Sequence, residues 1–325
     1  MKITDWSIIF VIIAIPIILL AGWHTAQLRQ TRITEITYTT ALRTAVQDAG
    51  MVLTGNHLQA YEYGYSSLKH SRADKEAALE TLINSLGQNL GIADDPQAMI
   101  ELMRYIPAVV VIDYDGYYIY ELVEGTDDNN NNAATHQWLP KKPYVYDDQA
   151  GQSIAFTLDQ QVTVINHQNG ESVQGLREEL TGSNLPDLLK NEDLFEQVRR
   201  ATIVHGIEAE LAGAIERNNV LVRRLGWKYV FTMPTIPQEI WSNTLDEPGI
   251  LVFLQGIPNG IGQYNNYALG GGRKVKSRSY FAGEDPLTGL RYVSDGLCDL
   301  PFKPIEIYAL KRDAAAAGFY EQTCR

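Results

Sequence analysis

Residues 108–123 read AVVVIDYDGYYIYELV. β-Branched and aromatic residues fill both sides of a short Asp-Tyr-Asp-Gly break. Such residues suit a pleated, half-buried backbone, and Asp-Gly between two such runs marks a tight hairpin. Asp115-Gly116 is expected to supply the positive-φ turn. A second hairpin is expected at 153–166, where SIAFTL and QVTVIN flank Asp159-Gln160. Between the hairpins lies TDDNNNNAATHQW (126–138), a polar low-complexity stretch expected to remain an unpacked loop. Two successive hairpins imply an antiparallel sheet.

Helical patterns precede this sheet. From His24 no proline or glycine interrupts the chain until Gly50. Leu28, Ile33, Ile36, Ala41, Ala45, Val46 and Ala49 form a rough helical stripe, although the Thr and Ile residues at 31–40 are indifferent helix formers. Further helices are expected at 71–90, opening at Ser71 and stopping near Gly91, and at 95–104. The strongest lies at 192–225, with Leu194, Val198, Ile203, Ile207, Leu211, Ile215 and Val222 near one face and Gly226 as its stop. Strands are then expected at 228–233, 249–255, 265–269, 273–281 and 290–294, with strand then helix in 305–321.

The N-terminus carries the other strong signal. Residues 5–23 read DWSIIFVIIAIPIILLAGW, uncharged from Trp6 onward. A helix from Trp6 to Trp23 rises about 25 Å, slightly short of the ~30 Å hydrocarbon core. Trp6 and Trp23 fall where aromatic rings prefer the membrane interface. Pro16 removes one helical hydrogen bond, which lipid-embedded helices accommodate by local adjustment. A cleaved signal peptide is the rival reading. The n-region MKITD has its Lys offset by Asp5, and Leu20-Ala21-Gly22 is a mediocre cleavage site, so a retained anchor is favoured. Arg29, Arg32 and Arg43 after the span weigh toward a cytoplasmic body by the positive-inside count. The polar, tyrosine-rich body and the two cysteines weigh toward the extracytoplasmic side, which is the reading taken.

The expected fold class is therefore α+β: a transmembrane helix continuing into an amphipathic helix, then antiparallel sheet with a long packing helix. The expected divisions are a tail at 1–5, an anchor at 6–23, a helical stalk at 24–104 and an extracytoplasmic body at 105–325, with a sub-boundary near 170–190.

The formal net charge is −12, which argues against nucleic acid as a partner because phosphate binding requires concentrated Lys and Arg. The richest basic stretch, Arg273, Lys274, Lys276 and Arg278, alternates like a solvated strand. The preceding Gly270-Gly271-Gly272 reads as a bulge or loop more readily than as an anion cradle, because no helix start follows. No HExxH, P-loop or GxSxG pattern occurs, and no GxGxxG follows a strand. The chain reads as non-enzymatic, with no catalytic residue, cofactor or metal site assigned. His205 and Glu208 share a helical face but lack further ligands. Asp113-Tyr114-Asp115-Gly116 resembles a calcium-loop fragment, but its spacing and flanking strands favour a simple turn. Asp127 and Asp128 read as a solvated loop. Cys298 and Cys324 are a candidate disulfide, contributing about 3–4 kcal/mol in the chain-entropy model. In a reducing compartment they remain thiols.

Asp5 at the start of an apolar helix, Pro16 within it, its polar continuation through Arg29–Asp48 and the antiparallel sheet expected after it resemble type IV pilin-like proteins and membrane-anchored accessory proteins of bacterial pilus or type II secretion systems. In that family an acid at this offset pairs with a neighbouring subunit's amino terminus. The resemblance gives Asp5 that role, with Pro16 in the same helix-assembly contact. The chain departs from the pattern in lacking a glycine-phenylalanine processing site and a leader, and in its larger body. NNVLVRRLGWKYVFTMP (218–234) and LVFLQGIPNGIGQYNNYALGGGR (251–273) are also similar to Gram-positive proteins associated with tight-adherence type pili. The resemblance implies a single-pass surface protein, a structural or accessory part of a pilus or secretion apparatus. Its partners would be the lipid bilayer and, through the N-terminal helix, copies of itself or apparatus components. The competing reading is an extracytoplasmic ligand-binding or sensory domain acting through a partner, with the aromatic side chains of 108–123 lining a pocket.

Overall fold

One helix, α1 (Ile3–Leu53), runs through Pro16 and Gly22 without interruption. Its threonines fit because they bond backward. Thr25, Thr34 and Thr37 each donate a hydroxyl hydrogen bond to the carbonyl four residues earlier, at 2.8, 3.0 and 2.9 Å. The computed structural model describes residues 3–53, 72–126, 132–148, 151–180, 185–242, 244–260, 262–271, 280–286, 288–294, 305–308 and 311–321. Among these, no helix is long and apolar enough to cross a membrane. Part of the apolar run, the side chains of 3–9 and 11–13, lies outside them. The span expected at 6–23 therefore has no support from the described residues.

The last three turns of α1 carry the helix into the body. Ala41, Leu42, Ala45, Val46, Ala49 and Leu53 are buried on one side. The alanines let α2 (Lys75–Leu90) approach closely with Ala78, Leu79, Leu82 and Leu86. Ser85 donates to Asp48 Oδ2 at 2.5 Å across the pair. The start of α2 is capped by Asp74, which accepts from the Ala77 amide at 3.0 Å, so the helix opens later than the expected Ser71. Asp95 caps α3 (Pro96–Met103) in the same way.

The main sheet is antiparallel throughout. Its strands are β1 (Ala108–Asp113), β2 (Gly116–Thr126), β3 (Asn132–Trp138), β4 (Lys142–Asp147), β5 (Gln152–Phe156), β6 (Gln161–Asn166), β7 (Ser172–Leu176), β8 (Gly249–Asn259) and β9 (Gly262–Gly271). The order is β7-β6-β5-β4-β2-β1-β8-β9, and β3 also pairs with β2. The end of β2 nearest the turn pairs with β4, and its far part pairs with β3. Strand β1 is buried at every position. Its Val109 and Val111 face the cluster of α1 and α2, while Val110 and Ile112 face that of α4 (Glu192–Arg224). Burial on both faces explains the unbroken VVVI run.

Three local expectations need correction. Asp113 pairs with Gly116, so the turn is Tyr114-Asp115 and Gly116 is already strand. Gly116 is absent from the positive-φ glycines. It is required by close approach, since a Cβ there would collide with the Lys142 carbonyl of β4. The second correction concerns 126–138, where Asn132–Trp138 is a paired strand and not a loop. Backbone groups pair whatever the side chains are. The third concerns 228–233, which forms no strand and joins no sheet. Its backbone is held by side-chain amides. Asn219 bonds both ways with Phe231, at 2.8 and 2.9 Å, and Gln255 both ways with Thr232, at 3.0 and 2.8 Å. On α4, Leu194 is exposed and Phe195 takes the inward place. Gly226, at φ +87°, ends the helix as expected.

Beyond α5 (Gln238–Ser242) and the β8–β9 hairpin lies a second sheet. It comprises β10 (Tyr280–Glu284), β11 (Arg291–Ser294), β12 (Glu306–Tyr308) and β13 (Tyr320–Glu321), in the order β12-β10-β11-β13, with α6 (Lys311–Ala316). Ala282, Val293, Ala314 and Phe319 form its own small core. The expected strand at 273–281 has only its last two residues among those described.

Candidate assembly helix and its seat on the body

The described large apolar side chains of the N-terminal part of α1 are exposed. Phe10, Ile15, Ile17, Ile18, Leu19 and Leu20 are each more than half exposed, and Trp23 is 68% exposed. Leu28, Ile33 and Ile36, expected on the packing stripe, are exposed too, so only the part from Ala41 onward packs as expected. Pro16 lies within the helix. The side chains of Asp5 and Trp6 lie outside the described residues, as do Cys298 and Cys324, Asp127 and Asp128, and the basic run 273–278.

Polar and aromatic contacts seat the middle of α1 on the β8–β9 hairpin. At the hairpin tip, Asn259 Nδ2 donates to the Thr31 carbonyl at 3.2 Å. Farther down, the Tyr38 and Tyr264 rings lie 5.3 Å apart. Thr39 Oγ1 and Tyr264 Oη are 3.0 Å apart, and Asn266 Nδ2 reaches both oxygens at 3.2 and 3.1 Å. Burial raises the Tyr264 phenol above its ordinary value, against the hydrogen bonds of Thr39 and Asn266. Gly270 completes the seat. A Cβ there would meet Val46 Cγ1 at 2.8 Å and the Val46 carbonyl oxygen at 2.9 Å. At least the first two glycines of the Gly270–Gly272 run thus belong to a strand, the first of them pressed against α1, and not to a loop.

The Asp-Tyr-Asp-Gly turn is a charged centre. Asp113 is fully buried. Its Oδ1 accepts from the amides of Ala73 and Tyr114, each at 2.9 Å. Its Oδ2 lies 2.9 Å from Lys141 Nζ, which also pairs with Asp115. Burial opposes the Lys141 charge, but the two carboxylates outweigh it and raise the ammonium above its ordinary value. Tyr144 Oη donates to the carbonyls of Asp113 and Gly116, at 2.9 and 2.6 Å. Burial, then the nearby Asp113 and Asp115, push that phenol well up. A lysine here leaves no need for a calcium ion, and the centre works as a structural lock on the turn. Among the described residues no group of three or more His, Cys, Asp or Glu is placed to hold a metal. His205 is exposed, while Glu208 accepts from the Trp241 indole at 3.1 Å.

A separate cavity of about 740 Å³ opens where α2, α3, β2, β3 and the end of α4 converge. Its polar lining consists of Arg104, Tyr120, Thr135, His136 and Asn218. Sequence reasoning did not single out Lys141; of the aromatic side chains at 108–123 expected to line a pocket, Tyr120 lines this cavity. Its lining comes from five separate stretches, and no periodicity links them. No protein-family model, no curated protein and no solved structure matches this chain.

Proposed function

We propose that the chain is a single-pass membrane-anchored surface protein, a structural or accessory component of a pilus or secretion apparatus, with its body outside the cytoplasm. The observation that carries this reading is the division of α1: from Ile15 to Thr40 its described side chains are largely exposed, with large apolar ones among them, and its last turns are built into the body. Exposed apolar surface on that scale calls for a cover of lipid or partner helices. Further support comes from the sequence of 6–23, with tryptophans at the two ends of the apolar run. Asp5 would find a partner in a neighbouring subunit, because a carboxylate in apolar surroundings requires one.

The test is mechanical shearing of intact cells carrying a C-terminal epitope tag, with sheared material and washed membranes blotted side by side. The expected result is tagged protein in sheared, high-molecular-weight assemblies, lost in Asp5→Ala. Protein found only in membranes and digested by external protease would replace the filament role with an anchored scaffold. Resistance to protease until lysis would overturn the extracytoplasmic assignment. The ligand-binding reading of the body rests on a different observation, the cavity beside α3, and is compatible with assembly through α1.

A further inference from the structure

The α4 helix places two asparagines side by side, and they fare differently. Asn219 spends its amide on Phe231, as described. Asn218 is 2% exposed, and its Nδ2 finds no acceptor among the described residues. A buried amide donor without an acceptor is uncommon and calls for an explanation. Asn218 also lines the cavity, so a bound molecule is placed to supply that acceptor.

The rest of the lining says what kind of molecule. Ile83, Ile100, Met103, Leu122, Val222 and Trp227 make most of the wall apolar. The volume suits a small organic ligand, for which pockets of roughly 300–1,000 Å³ are usual. The basic side chains of the described lining are Arg104 and His136, and an anion would have to compete for the first with a carboxylate. Arg104 is engaged by Glu101 at 2.8 Å. His136 is stacked on Tyr120 with centroids 5.6 Å apart, and burial lowers its pKa from the usual value, which keeps the ring neutral at neutral pH.

We propose that this cavity binds a small uncharged molecule with an aromatic or aliphatic body and a carbonyl group, the carbonyl accepting from Asn218. This deepens the ligand-binding reading of the body and does not depend on assembly through α1. The apolar wall supplies affinity without direction, and the single buried amide supplies orientation. Ligands lacking an acceptor would leave Asn218 unpaired and would be rejected on that ground.

The experiment uses the purified full chain and three probes of one shape: phenylacetamide, phenylacetate and 2-phenylethylammonium. Ligand-observed saturation-transfer NMR is followed by titration. Phenylacetamide is expected to bind at least about tenfold more tightly than the other two, whose charges the apolar wall would have to desolvate. Asn218→Leu should weaken phenylacetamide binding by about tenfold, the margin of one well-made hydrogen bond. Val222→Trp, which fills the cavity from the next turn of α4, should abolish binding with the circular dichroism spectrum unchanged. Absence of transfer from phenylacetamide at millimolar concentration would overturn the proposal. So would equal binding of the three probes, or a phenylacetamide affinity unchanged in Asn218→Leu. None of these results bears on the shearing assay, so the two readings fail separately.

Discussion

The carboxylate of Asp113, without solvent exposure, lies 2.9 Å from the ammonium of Lys141, across the turn that joins β1 to β2. The pair ties the central hairpin to the residue just before β4. Removing the cation would strand a buried charge, which typically costs about 3–5 kcal/mol. Lys141→Met is therefore expected to lower the unfolding free energy from urea titration by that much, and Asp113→Asn combined with Lys141→Met to recover part of the loss. A near-neutral single variant would show the pair to be solvated. The sign of the pH effect follows from the raised Lys141 pKa. Its stabilisation is complete below the unfolded-state value of about 10.4 and is lost as pH rises through the folded value.

His136 gives the opposite dependence. Burial lowers its pKa from the usual 6.5, so protons favour the unfolded chain. The histidine's contribution is present above about pH 6.5 and declines as pH falls through the folded value. Denaturation midpoints measured between about pH 7.5 and pH 5.5 should fall, and His136→Phe, which keeps a ring beside Tyr120, should flatten that part of the profile.

Gly116→Ala places a methyl group against the Lys142 carbonyl, which belongs to backbone that cannot rotate away. Overpacking of this kind costs about 1–3 kcal/mol. The loss should appear with faster amide exchange in β4, where the strand is pushed from β2. Wild-type exchange in β4 would show that the backbone absorbs the methyl without moving.

Tyr264→Phe deletes the hydroxyl shared by Thr39 and Asn266. The expected cost is about 1 kcal/mol, with hydrogen exchange faster at residues 31–39 of α1 and unchanged in α4. Uniform acceleration across the body would mean that the contact supports the global fold and does not specifically seat the helix.

The hairpin at 108–123 was legible because β-branched runs around a polar turn admit few other structures. Helices α2, α3 and α4 were legible within a few residues because they carry caps and apolar spacing. Three features were not. The strand at Asn132–Trp138 is polar and owes its state to an unpaired stretch of β2. The segment at 228–233 has the residues of a strand, but backbone hydrogen bonds of Phe231 and Thr232 go to Asn219 and Gln255. Gly116 looked like a turn residue, although its role depends on a strand that arrives 26 residues later. Each of these is decided by a partner distant in sequence, and local propensity does not report such partners. Of the cavity around Asn218 only the Tyr120 wall was legible, because the other walls come from distant stretches.

The seat of α1 also has a mechanical meaning. Its contacts with β8, β9 and α2 are spread from Thr31 to Asp48, about 25 Å of helix at the usual rise per residue. A pull along the helix axis loads those contacts together, in shear, and not one after another as in peeling. A body hung from α1 in this way would resist drag until several bonds fail at once.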